Sequence, residues 1–156
     1  FPGLWRHGDW VRCDPDGTWY ILGRSDDTLN IAGKRIGPPE IEAALTETGE
    51  VVDAAAIAAP DDIKGVAVVC VCVAAPNVSP DAELVNRLKD RVGEIVSKPF
   101  RPREIHFVEA LPKTRSMKTM RRVVRAAFLG EDPGDLSSIS NPETIQPIAD
   151  LQKEKS

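Results

Sequence analysis

The sequence is short of the features that mark several large protein classes. Three cysteines among 156 residues do not make a disulfide framework, and a reducing cytoplasm is the natural compartment. The longest apolar stretch, Val66 to Ala75, spans ten residues, against the roughly 20 that a membrane helix needs. There is no basic excess. Twenty Lys and Arg face 24 Asp and Glu, for a net charge of −4, which argues against a general nucleic-acid or membrane-surface binder. The start, Phe1-Pro2-Gly3-Leu4-Trp5, carries no Met, basic n-region or signal-peptide core. Trp5, Trp10 and Trp19 crowd into this region and no Trp follows, as expected of a fragment whose aromatics face a larger body. No internal repeat is visible. What is present is ordinary for one globular domain: 42% hydrophobic residues, 28% charged and 5% aromatic.

Local signals give an order of elements. Asp14-Pro15-Asp16-Gly17 is a turn signal, with strand formers on both sides, and predicts a β-hairpin over residues 9–24. Its Asp-x-Asp-Gly lacks the later ligands of a calcium loop. A short strand is expected at 29–32. Pro38-Pro39 start a helix with Ile41, Ala44 and Leu45 on its apolar side, and Gly49 stops it. Strands are expected over 51–59 and 66–75, the second apolar on both faces and therefore central. Ser79-Pro80-Asp81 opens a helix with Leu84, Leu88, Val92, Ile95 and Val96 on one face. Residues 104–108 alternate as a strand, with Ile105 and Phe107 inward and His106 outward. A last core helix is expected over 119–129, followed by a polar, partly mobile tail with one short helix after Asn141-Pro142. Cys70 and Cys72 share one strand face. With His106 the only later histidine, they read as small buried hydrophobes and no metal site is expected.

Positive charge is concentrated in one place. Residues 101–125 carry eight basic and two acidic side chains. A solvated helix start, a nucleic-acid patch and a phosphate-handling loop are all compatible with that. No aromatic interleaves the basic residues to stack bases. Residues 112–118, Pro-Lys-Thr-Arg-Ser-Met-Lys, could place an ammonium on a reacting phosphate, where catalysis is mostly positioning and charge stabilisation. Gly33-Lys34 is not a P-loop, because Thr28 stands where the first glycine would fall.

Four motifs now occur in order: Gly8-Asp9; Gly23-Arg24-Ser25-Asp26-Asp27; Asn30-Ile31-Ala32-Gly33-Lys34-Arg35-Ile36-Gly37; and Leu111-Pro112-Lys113-Thr114-Arg115-Ser116-Met117-Lys118. Together they resemble the closing motifs of the adenylate-forming acyl-CoA synthetases. The resemblance covers nearly the whole chain, and the tail from Leu129 to Ser138 is most similar to the acetyl-CoA synthetase branch. It implies an α+β fold, a short hairpin followed by a compact lid with a three-stranded sheet flanked by helices. Residues 1–25 would end a large nucleotide- and acyl-binding domain, 26–130 would form the lid, and 131–156 a polar extension. It implies a two-step ligase: a carboxylate such as acetate attacks the ATP α-phosphate, then CoA displaces AMP from the acyl-adenylate. The lid swings between the steps.

The resemblance also assigns roles. Lys118 matches the adenylation lysine. Asp9 resembles the carboxylate on the ATP ribose hydroxyls, a sound clamp for two O–H donors, and Arg24 an arginine reaching the same ribose. Asp26 matches the hinge, Gly33 the glycine lining the CoA pantetheine channel, and Arg35 a phosphate-contacting arginine. ATP and CoA are implied, with Mg2+ accompanying ATP on ligands outside this stretch. Implied partners are the missing N-terminal domain and a lysine acetyltransferase or deacetylase acting on Lys118, with no nucleic acid or membrane. The isolated piece would be inactive. A lid that loads a carrier protein, and a basic nucleic-acid module, are the alternatives. Two positions depart from the family's pattern: Lys34, where many relatives have His, and Met117, usually Gly. If position 117 uses φ > 0, Met carries a penalty of about 1 kcal/mol or more.

Overall fold

The computed structural model describes residues 8–24, 27–31, 33–63 and 65–152, and at positions 10 and 22–24 the backbone only. The fold is α+β, as expected. Strands β1 (Asp9–Cys13) and β2 (Trp19–Arg24) form the N-terminal antiparallel hairpin. Its turn closes through Gly17 N–H donating to the Asp14 carbonyl (2.9 Å) and Thr18 N–H to Asp16 Oδ1 (2.9 Å). Val11, Trp19, Tyr20 and Ile21 are all exposed on this hairpin.

A second, smaller hairpin follows. Strand β3 (Leu29–Ile31) pairs with β4 (Lys34–Ile36) in the register Leu29↔Ile36, Asn30↔Arg35, Ile31↔Lys34. The strand β4 is absent from the sequence reading because two of its three residues are charged and face solvent. Only Ile36 is buried, opposite Leu29. Helix α1 (Pro38–Thr46) then starts on its two prolines and buries Ile41, Ala44 and Leu45.

The central sheet has the order β5-β6-β7. Strand β5 (Val51–Asp61) runs antiparallel to β6 (Gly65–Ala74), and β7 (Glu104–Phe107) lies parallel on the other side of β6. Strand β5 continues through Pro60 and Asp61 to pair with Val66 and Gly65, beyond the expected stop at Ala59. Proline is tolerated there because β5 is an edge strand and the missing N–H is owed to no neighbour. Five of its residues are alanine, a poor strand former. Packing holds this strand extended more than local preference does, and its small side chains let helices approach both faces.

Each face is covered. Ala54, Ala56, Val68, Cys70, Cys72 and Ile105 pack under β3, β4, α1 and helix α2 (Ala82–Ile95). Ala55, Ile57, Ala59, Val69 and Val71 pack under helix α3 (Arg121–Leu129) and helix α4 (Ile145–Asp150). The alternation along β5 and β6 is the pleat itself. Helix α2 opens where Ser79-Pro80-Asp81 indicates, and its N-terminus is capped by Asp81, whose Oδ1 accepts from Leu84 N–H at 2.7 Å. It buries Leu84, Leu88 and Val92, but Ile95 is exposed, and Val96 at the C-cap takes the inward position instead. His106 also differs from expectation. It sits on the second covered face, 5.5 Å from the Phe128 ring, with Nε2 2.8 Å from Glu104 Oε2. A sheet covered on both sides leaves no outward position for it. Helix α3 begins at Arg121, two residues later than the periodicity suggests, because Thr119 is engaged in a β-bridge with Lys113. The polar stretch after Gly130 ends in a helix that buries Ile148 fully in the second core.

Candidate functional site

The loop leading into α3 is a small hairpin. Leu111 and Pro112 are buried at its base. Lys113 and Thr119 form an antiparallel bridge, and Thr114 N–H donates to the Lys118 carbonyl at 2.9 Å. Between them Met117 N–H donates to the Thr114 carbonyl (2.9 Å), closing a turn whose last residue, Met117, has φ 63°. A type I turn followed by one left-handed residue is a common three-residue hairpin connection, and glycine is its natural occupant. The left-handed backbone therefore holds at position 117 with methionine in place, and the cost of about 1–2 kcal/mol applies.

This geometry separates the two lysines. Lys113 is turned inward: its ammonium is 2.5 Å from Asp53 Oδ2 and 2.9 Å from Thr119 Oγ1. Lys118 is exposed. Its amide donates to Thr114 Oγ1 at 3.1 Å, so the backbone is held while the side chain stands in solvent, outside every ion pair among the described residues. The rest of the basic stretch is largely committed. Arg101 pairs with Asp90 (2.8 Å), Arg103 with Glu104 (3.0 Å) and Asp61 (3.2 Å), and Arg125 with Glu131 (2.6 Å). Arg122 donates to the Asp135 carbonyl at 2.7 Å.

Arg121 makes the most buried of these contacts. Its guanidinium grips Glu42 of α1 with two bonds of 2.6 and 2.5 Å and lies 3.7 Å from Asp27. The Glu42 hydrogen bonds raise the Arg121 pKa further above its ordinary value. Breaking a buried pair costs about 3–5 kcal/mol. With Arg121 still 24% exposed, solvent screening brings that nearer to ~2 kcal/mol. No sequence spacing could have flagged a pair 79 residues apart.

Gly33 occupies the turn between β3 and β4 with φ 78°, and a Cβ added there would meet no protein atom within 4 Å. Backbone geometry, and not protein packing, calls for glycine, and the space above it is open. Arg35, exposed, lies opposite Asn30 two residues along the same turn. Asp9 and Arg24 are register partners at the open end of the first hairpin, which brings the two ribose candidates together at the backbone level. The hinge candidate Asp26 lies outside the described residues. The buried thiols are chemically quiet. Burial pushes Cys72 up to about 12 and Cys70 well above the ordinary thiol value, with the Glu42 charge adding to both. Among the described residues no group of three or more His, Cys, Asp and Glu gathers as a metal site would.

The model of the AMP-binding enzyme C-terminal domain matches residues 40–118, just over half of the chain, and its match ends at Lys118. The chain belongs to this family. As a member of the AMP-binding C-terminal domain family it is 40% identical over 158 residues to the 3-hydroxypropionyl-coenzyme A synthetase of Metallosphaera sedula, covering 99% of this chain and 24% of that protein. It is 40% identical over 146 residues to the acetyl-coenzyme A synthetase of Methanothrix soehngenii, with 94% and 22% covered. Among solved structures it resembles the acetoacetyl-CoA synthetase from Streptomyces lividans, with a TM-score of 0.82, 27% identity, and 100% of this chain against 24% of that one. The AMP-binding C-terminal domain described here thus spans about a quarter of the length of its curated relatives.

Proposed function

We propose that this chain is the C-terminal part of an AMP-forming, ATP-dependent acyl-CoA synthetase and supplies Lys118 to its adenylation step. The observation that carries this reading is the division of labour in the 113–119 hairpin. One lysine is spent on an ion pair with Asp53, and the other is held at the backbone with its ammonium in solvent. In the first step a carboxylate oxygen bonds to the ATP α-phosphorus while the α–β bridging bond breaks and its electrons leave with pyrophosphate. An ammonium at that point stabilises the charge as it moves. In the second step the CoA thiolate bonds to the acyl carbon and AMP departs with the C–O electron pair.

Asp9 and Arg24 would hold the nucleotide ribose, Arg35 a phosphate, and Asp26 would be the hinge. Gly33 would line the pantetheine channel, since the open space above its backbone suits a close-lying ligand. Mg2+ would arrive with ATP, and no residue of this chain is assigned to it. Acetylation of the exposed Lys118 by a protein acetyltransferase would remove its charge and with it the first step. A cytoplasmic setting suits three cysteines that remain thiols.

Acetate is the first substrate to try. The 40% identity to a 3-hydroxypropionyl-coenzyme A synthetase makes 3-hydroxypropionate the second. The test is carboxylate-dependent ATP–pyrophosphate exchange by the full-length protein, followed by acyl-CoA formation when CoA is added. Absence of exchange with every short carboxylate overturns the reading. Acyl transfer to a carrier protein in preference to CoA replaces its second half. Strongly salt-dependent binding to nucleic acid, without exchange, replaces it altogether.

A further inference from the structure

The Lys118 loop does not hold itself. Its base is pinned by a segment more than twenty residues downstream, and both backbone polar groups of Lys113 are spent on it. Lys113 N–H donates to Asn141 Oδ1 at 2.8 Å. The Lys113 carbonyl accepts from Ser140 N–H at 2.8 Å and from Ser140 Oγ at 3.0 Å. Asn141 Nδ2 then donates to the Leu111 carbonyl at 2.9 Å. One amide side chain therefore imitates a peptide unit, accepting from residue 113 and donating to residue 111. Its partners, one N–H and one carbonyl, fix which way the amide faces. Thr114 and Ile139 complete the strip with an antiparallel bridge.

Asn141 is itself held from behind. Its carbonyl accepts from Thr144 Oγ1 at 2.7 Å and Thr144 N–H at 3.2 Å. Thr144 is buried, and α4 follows directly with Ile148 fully buried in the second core. A continuous mechanical path thus runs from the core through Thr144 and Asn141 to the hairpin that presents Lys118. The apex of that hairpin is left to its own turn, which contains a strained Met117.

We infer that Asn141 is a positioning residue for the adenylation step: it fixes the base of the 113–119 hairpin and so sets where the Lys118 ammonium can reach. The inference rests on the synthetase reading above. Displacing a reacting group by about 1 Å can cost of order 10²-fold in rate. Asn141 acts one step removed, so a loss of roughly 10–100-fold is expected.

The experiment uses the full-length protein with Asn141→Ala and Asn141→Asp. In Asn141→Ala the kcat for carboxylate-dependent pyrophosphate exchange should fall by about 10–100-fold with the KM for ATP little changed. Thioester formation from supplied acyl-adenylate should stay near the parent rate. Asn141→Asp keeps an acceptor for Lys113 N–H and should recover most of the loss. Deuterium uptake should rise in peptides covering 111–120 and stay constant over β5 and β6. Unchanged uptake in 111–120, or equal loss of both half-reactions with no recovery in Asn141→Asp, overturns the inference. If Asn141→Ala does not fold, Asn141→Asp decides by deuterium uptake: it loses the bond to the Leu111 carbonyl, so uptake over 111–120 should rise above the parent, and parent-like uptake there overturns the inference. If Lys118→Ala leaves exchange intact, the assignment of Lys118 has failed, and absence of exchange in the parent fails the synthetase reading; in either case the deuterium uptake still decides whether Asn141 holds the loop.

Discussion

The two candidate loops of this molecule stand on opposite covers of one sheet. Gly33 belongs to the β3–β4 hairpin, whose Leu29, Ile31 and Ile36 pack with α1 and α2 over one face. Lys118 belongs to the hairpin that starts at Leu111, which packs with α3 and α4 over the other. In both, the hairpin is followed closely by the helix that covers its own face, so each loop is tied to a rigid element. Both need a left-handed residue, at φ 78° for Gly33 and 63° for Met117. One position has the residue that fits and the other does not. The contrast is informative: a glycine that leaves open space suits a ligand lying along the backbone, whereas the turn before Lys118 needs only to aim the next side chain. Under the proposed function, each cover would serve one of the two half-reactions.

That comparison can be broken most sharply at Lys118. In the full-length protein Lys118→Ala should slow adenylation by about 10²–10³-fold, the usual cost of losing one preorganised charge donor. Conversion of supplied acyl-adenylate with CoA should continue near the parent rate. Pyrophosphate exchange close to the parent value removes Lys118 from the adenylation step. Lys113→Ala is no neutral control here, since its ion pair with Asp53 belongs to the loop's support.

The opposite cover should give the reverse pattern. Asparagine tolerates the left-handed backbone, so Gly33→Asn adds a side chain to open space without straining the turn. Overfilling a site costs about 1–3 kcal/mol, or roughly 5- to 150-fold in rate. The loss should fall on thioester formation and spare pyrophosphate exchange. Equal effects on both steps would mean that Gly33 serves the turn alone. The smallest effect is expected at Met117→Gly. It relieves about 1 kcal/mol of left-handed strain, offset in part by the freer unfolded chain. Thermal melting should shift upward by at most ~2–4 °C, and a lower melting temperature would show that the Met117 side chain contributes contacts that outweigh the strain.

Local chemistry made much of this legible in the sequence. The Asp14–Gly17 turn, the helix start at Ser79-Pro80-Asp81, the doubly apolar β6 and the double proline of α1 each act within a few residues, and each is found where it was read. The four motifs carried the family. What sequence periodicity could not carry is whatever depends on distant partners. Glu42 meets Arg121 across 79 positions, Lys113 turns inward because Asp53 is there, and Asn141 matters only once it lies beside Leu111 and Lys113. His106 alternates correctly with its neighbours, but only the assembled α3 decides that its side of the sheet is covered. Strand β4 was hidden because two of its three residues, Lys34 and Arg35, face water.

Among the described residues strand β5 pairs with β6 alone, so its other edge could recruit a foreign strand. At eleven residues, five of them alanine, it would be a long and sticky template. The Ala56 amide is closed off instead: Glu42 Oε1 accepts from it at 3.0 Å while Arg121 grips the same carboxylate. Pro60 has no amide to offer, and its carbonyl accepts from Arg103 Nη1 at 2.8 Å. The Arg121–Glu42 pair therefore acts as a stopper on an open seam. If the proposed hinge motion releases this domain from a neighbour, each release would otherwise offer the seam to another copy of the same chain.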